Sequence, residues 1–231
     1  MELFQYGSFG EYEAAVVDVD LKVRLLGPQD GGWRLGHADV AGVTVQRGIE
    51  TVPNLCEAAV AATHFMFLVS DAGPGSAWLN GVALGPDKLA VLAPGRGFVF
   101  RADGPNSWVT IAIPLASPML QADDEVGGIL RYWSRATNVF AANPAHIAAL
   151  QQAALCAADS GMAGEAGRAL IENAIATMVF GRRPQPAPGG RPGVSLHELC
   201  NATLTLFRAM DGDGRNSAGY DGLSVGDRSL R

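Results

Sequence analysis

A chain of 231 residues that is 48% hydrophobic can bury one large core or two small ones, and it is too apolar to be disordered throughout. The net charge of −6 argues against a surface that binds nucleic acid all over. No run approaches the roughly 18–20 unbroken apolar residues of a membrane span, and Met1-Glu2-Leu3-Phe4-Gln5 lacks the basic and apolar segments of a signal peptide. The charge is uneven, with 10 basic against 18 acidic residues over 1–181 and 7 against 5 over 182–231, so an acidic body precedes a slightly basic tail. Cys56, Cys156 and Cys200 are far apart and form no CxxC pair, which fits small buried thiols in a reducing, cytoplasmic setting.

From Leu3 to Pro114 the sequence alternates short apolar runs with Gly, Pro, Asp and Asn. Phe9 to Ala15 reads as a short opening helix. Val19–Leu26, Trp33–Asp39, Gly42–Arg47, His64–Val69, Ala77–Leu79, Lys88–Leu92, Gly97–Arg101 and Trp108–Ile113 read as strands. Short strands at close spacing predict an antiparallel barrel or sandwich rather than a βαβ sheet. Asn80-Gly81 is a strong hairpin signal, because both central residues of a type I′ turn need positive φ, and Pro94-Gly95 marks a second turn.

The pattern then changes to an Ala-rich region with helical spacing, so the fold class is mainly β, then α. Ile147, Leu150, Ala154 and Ala158 mark one face of a first helix, with Asn143 as its cap and Pro144 in its first turn. Leu170, Ile171, Ala174, Ile175 and Met178 mark a broader face of a second helix. That face must be buried on the β-domain of its own chain or on a second copy, as a homodimer. Residues 181–193 are a Pro/Gly-rich linker that can hold neither a helix nor a central strand. Gly226 and Asp227 then read as the cap and first turn of a further helix, with Arg228 and Arg231 on one face. The organisation read from these shifts is a β-domain over 1–116, a helical region over 117–180, the linker, and an incomplete helical segment over 194–231.

No chemistry of a catalytic kind is visible. His37, His64, His146 and His197 are scattered without ligand spacing, so no metal or other cofactor is expected. There is no nucleophile elbow, no Cys–His pairing and no phosphate loop, and the chain is not expected to be an enzyme. Arg47 shares a strand face with Val43 and Val45. If that face is inward, its guanidinium enters the barrel and needs a carboxylate, either Glu50 or one on an acidic ligand flanked by Trp78 and Trp108. If it is outward, Arg47 snorkels to solvent.

The hairpin run Trp78-Leu79-Asn80-Gly81, followed by Leu84-Gly85-Pro86-Asp87 and Leu92-Ala93-Pro94-Gly95, resembles the cupin-like N-terminal domain of AraC-type transcription regulators. The tail Ser224-Val225-Gly226-Asp227-Arg228-Ser229-Leu230-Arg231 is similar to the opening of the recognition helix in their helix-turn-helix domain. The resemblance implies a sensing and dimerising region for a small-molecule effector, with Arg228, Ser229 and Arg231 at the start of a DNA-reading helix. It also implies a DNA-binding part cut short here, so that this chain alone binds DNA only weakly. A stand-alone cupin-type enzyme and a ligand-binding module without DNA are the alternatives.

Overall fold

Alternating apolar and polar side chains drive most of the first 114 residues into antiparallel strands. The computed structural model describes residues 1–27, 32–71, 73, 75–159, 164–181 and 185–186. Met1–Pro192 forms one compact unit, and the partial helix-turn-helix expected over 194–231, with Arg228, Ser229 and Arg231, lies outside the described residues. In chain order the strands and helices are β1 (Phe4–Tyr6), α1 (Phe9–Ala15), β2 (Val19–Leu25), β3 (Trp33–Val40), β4 (Val43–Glu50), β5 (Asn54–Val60) and β6 (His64–Ser70). They continue with β7 (Ala77–Leu79), β8 (Val82–Ala83), β9 (Lys88–Leu92), β10 (Gly97–Ala102), β11 (Asn106–Pro114), α2 (Pro118–Gln121) and α3 (Glu125–Trp133). Last come β12 (Asn138–Ala141), α4 (Pro144–Ala157), α5 (Glu165–Gly181) and β13 (Gln185–Pro186).

The strands form two antiparallel sheets. The larger has the order β1-β3-β4-β11-β6-β9-β12-β13 and the smaller β2-β5-β10-β7-β8. β11 is central to the larger sheet, with Val109 opposite Arg47 on one side and Val69 on the other. The β7–β8 hairpin turns at Asn80 (φ 49°) and Gly81 (φ 81°), the two positive values that a type I′ turn demands.

Two cores divide the strand faces by parity. Leu35, Met66, Leu68, Leu92 and Trp108 from the larger sheet pack against Ala58, Leu79, Phe98 and Phe100 from the smaller one, filling the space between the sheets. Val43, Val45, Phe67, Val109 and Ile111 point to the other face, which is covered by α3, α4 and α5 through Leu130, Trp133, Ile147, Leu150 and Ile171. The result is three layers: small sheet, large sheet, helices.

The expected order of a β-region followed by helices is present, with strand ends shifted by a few residues. One shift matters. β4 runs to Glu50 rather than ending at Arg47, which brings a carboxylate into the sheet. β5 was not anticipated, because Glu57-Ala58-Ala59 lacks the β-branched density of a strand and gains its conformation from pairing with β2 and β10. α3 falls inside the helical region expected over 117–180, although the sequence does not mark it as a separate helix, since Gly127-Gly128 lowers helix propensity.

α5 does not offer the expected dimer face to a second copy. Ile171, Ile175 and Met178 are 0, 0 and 1% exposed, inside the core beneath the chain's own sheet, while Ala174 is half-buried against that core and Leu170 is half-buried. The apolar face that called for a dimer partner is thus already covered within the chain. Asn143 does cap α4, accepting a hydrogen bond from the Ala145 N–H at 2.9 Å.

Candidate cavity between the sheets

Even-numbered residues of β4 point between the sheets, opposite to Val43 and Val45, and this places Gln46, Gly48 and Glu50 on the inner wall. A cavity of about 70 Å³ opens beside them. Its apolar wall comes from both sheets, through Leu21, Met66, Leu68, Leu92, Phe98 and Phe100, and Tyr12 of α1 with Val16 and Val19 closes one side.

Glu50 is 7% exposed and holds the polar end of the cavity. Its Oε1 accepts from the Tyr12 hydroxyl at 2.7 Å and from the Trp108 indole N–H at 2.9 Å, and its Oε2 accepts from the Asn54 amide at 2.6 Å. All three donors are neutral, and among the described residues no Lys, Arg or His lines the cavity. Burial, followed by the charge of Glu50, pushes the Tyr12 phenol well above its usual range, so the phenol stays protonated and donates. Burial first and Glu50 second raise the Cys56 thiol on the cavity wall to about 12, which keeps it a neutral, poorly nucleophilic group.

Two backbone arrangements hold this geometry. A Cβ on Gly48 would overlap the Trp108 indole, so only glycine lets the ring lie against β4 with its N–H directed at Glu50. The Gln46 side chain bonds both ways to Val17, donating to its carbonyl at 2.8 Å and accepting from its N–H at 2.9 Å. That clamp fastens the segment after α1 along the cavity. Glu13 adds a second tie, accepting from the Val23 N–H at 3.0 Å.

The structure separates the three residues expected to bind an effector. Trp108 lines the cavity. Arg47 points the other way, on the face of Val43, Val45 and Val109, and its buried Nε finds no hydrogen-bond partner among the described residues. Trp78 lies half-buried on β7 with its neighbours Ala77 and Leu79 turned inward, and the Arg101 guanidinium sits 5.2 Å from its ring centre. The anchor for an acidic ligand is therefore replaced by its opposite, a carboxylate. Sequence reasoning touched Glu50 only as a partner for Arg47 and missed Tyr12, Gln46 and Asn54. The available signal was the polar period-two series Gln46, Gly48, Glu50 on one face of β4.

Among the described residues the histidines do not converge. His37 is exposed, and His64 Nδ1 lies 3.0 Å from Thr63 Oγ1 and 3.9 Å from Asp18 Oδ1. Among the described residues no three His, Cys, Asp or Glu side chains come together at metal-binding distance.

No protein-family model matches the chain, and no curated protein matches it. Among solved structures, the AraC-like transcriptional activator CuxR is similar, with a TM-score of 0.57 at 12% identity, covering 89% of this chain and 79% of that one. At that identity the likeness establishes a shared fold. A cupin-2 domain from Rhodospirillum rubrum also aligns, over 49% of this chain and 90% of that one at 17% identity, but with a TM-score of 0.19. That second alignment carries no weight here.

Proposed function

We propose that this chain is the effector-sensing region of an AraC-type transcription regulator, with a small molecule seated between its two sheets. The observation that carries the reading is the mostly apolar cavity between the sheets with one polar end, set within a fold shared with an AraC-like activator. Few convergent polar groups in an apolar wall are what a recognition site requires. Catalysis has less support: the Cys56 thiol is held neutral, and the metal-dependent alternative finds no ligand set among the described residues.

In this reading the protein works in the cytoplasm, and DNA contact falls to residues beyond the linker, including Arg228, Ser229 and Arg231. None of the described helices is long and apolar enough to cross a membrane. Self-association of such a regulator would use a surface other than the Ile171, Ile175 and Met178 face, which the chain already buries.

Because the DNA-binding part is expected to be cut short in this chain, the test is promoter occupancy in cells by crosslinking with the chain joined to a complete helix-turn-helix domain of an AraC-type regulator, and wild type compared with Leu68→Trp, which fills the cavity. Wild type is expected at a small set of promoters with an effector-dependent output, and the filled variant at the same promoters without the response. Absence of wild type from every promoter would refute the reading.

A further inference from the structure

We propose that the cavity selects a small cationic amine, an ammonium or amidinium on a short apolar body, and that Glu50 is the residue that selects it. The inference rests on the sensing reading above and adds the class of molecule sensed.

Three features of the cavity point the same way. The first is charge. Glu50 is the one carboxyl group on the wall, it is buried, and no cation pairs with it among the described residues. A buried carboxylate with no counter-charge is costly, and a bound cation removes that cost. Tyr12 and Cys56, the other titratable groups on the wall, are kept neutral, so nothing else there offsets or adds to the Glu50 charge.

The second is unused capacity. A carboxylate offers about four lone-pair positions. Oε1 already takes two donors, Tyr12 and Trp108, while Oε2 takes only Asn54. One position on Oε2 is left for a donor that the described residues do not provide. The remaining amide on the inner face of β4, Gln46, is occupied by Val17.

The third is the wall itself. Leu21, Met66, Leu68 and Leu92 suit a hydrocarbon body, and Phe98, Phe100 and Trp108 present aromatic rings, which favour a cation over an anion. The same arrangement rejects carboxylates and phosphates, since no basic side chain among the described residues lines the cavity and Glu50 repels them. A volume of about 70 Å³ suits a molecule of a few heavy atoms.

The experiment compares three probes of similar shape, n-butylamine, butan-1-ol and butanoate, by calorimetric titration into the full chain at neutral pH. Wild type is expected to bind the amine about tenfold or more tightly than the alcohol, the range set by a hydrogen bond to a charged group, and to bind butanoate least. In Glu50→Gln, which keeps the shape and removes the charge, the amine's advantage is expected to fall to within about threefold of the alcohol. Leu68→Trp is expected to bind none of the three. If Glu50→Gln does not fold, the wild-type ranking decides alone.

Alcohol binding equal to or tighter than amine binding, preferred butanoate, or no binding of the amine would each overturn the proposal. So would amine binding that survives in Leu68→Trp. A promoter response to a neutral or acidic effector, lost in Leu68→Trp, would leave the sensing reading intact while refuting the amine. Absence from promoters together with the amine ranking would do the reverse.

Discussion

Ile171→Asp separates two accounts of α5 that make opposite predictions. If the face of Ile171, Ile175 and Met178 joined two copies, an aspartate there would split a dimer into folded halves. In the structure Ile171 is fully buried among Leu150, Ala154 and the underside of the large sheet. Losing that burial costs about 2–3 kcal/mol of transfer free energy. A carboxylate left in the same place without a partner costs several kcal/mol more, or takes up a proton at comparable expense. The sum, roughly 5 kcal/mol or more, is a large part of the 5–15 kcal/mol that holds a typical domain together. Urea unfolding at two protein concentrations a decade apart, with sedimentation alongside, reads the outcome. The expected result is a sharply lowered midpoint that does not move with protein concentration. Asn173→Asp, on the exposed side of the same helix, is expected to change stability by no more than about 0.5 kcal/mol. A folded Ile171→Asp with a wild-type midpoint and half the mass would show that α5 is an interface and that its packing has been misread.

Gly48→Ala is expected to displace the Trp108 ring and break its 2.9 Å bond to Glu50, costing about 1–3 kcal/mol in urea unfolding and shifting Trp emission as Trp108→Phe does. Tyr12→Phe removes the 2.7 Å hydrogen bond to the same carboxylate, and a loss of about 1.5–3 kcal/mol by the same assay is expected. Both groups raised by burial make the protein alkali-sensitive. Because the Cys56 thiol is raised from 9.0 to about 12, the unfolded chain releases its proton first, so stability is full below pH 9 and falls between pH 9 and 12. Tyr12 acts in the same direction from pH 10 upward, and an unfolding midpoint that is flat from pH 8 to 12 would contradict both. Iodoacetamide at pH 8 is expected to label Cys56 more slowly than the same cysteine in urea, read by mass spectrometry, because its thiolate is disfavoured in the fold.

Local chemistry was enough to read much of the architecture from the sequence. The Asn80-Gly81 turn, the strands on either side of it, the Asn143 cap with Pro144 and the two Ala-rich helices all follow from residues within a few positions of one another. Where neighbours in space supply the reason, the sequence was silent. β5 is a strand because β2 and β10 flank it, and α3 carries glycine at position 127 because the Ala122 carbonyl leaves no room for a Cβ there.

The site depended on a question that period-two alternation cannot answer. β4 has two faces, and Val43, Val45 and Arg47 on one are as regular as Gln46, Gly48 and Glu50 on the other. An inward assignment for the valines follows if a sheet has only one covered side. Here helices cover the second side, so the valines are buried away from the cavity and Gln46 and Glu50 of the other series line it. The alternation is written in the sequence; which of the two buried faces holds the ligand space was decided only when α3, α4 and α5 folded back over the large sheet. The same packing gave the apolar face of α5 a partner within its own chain.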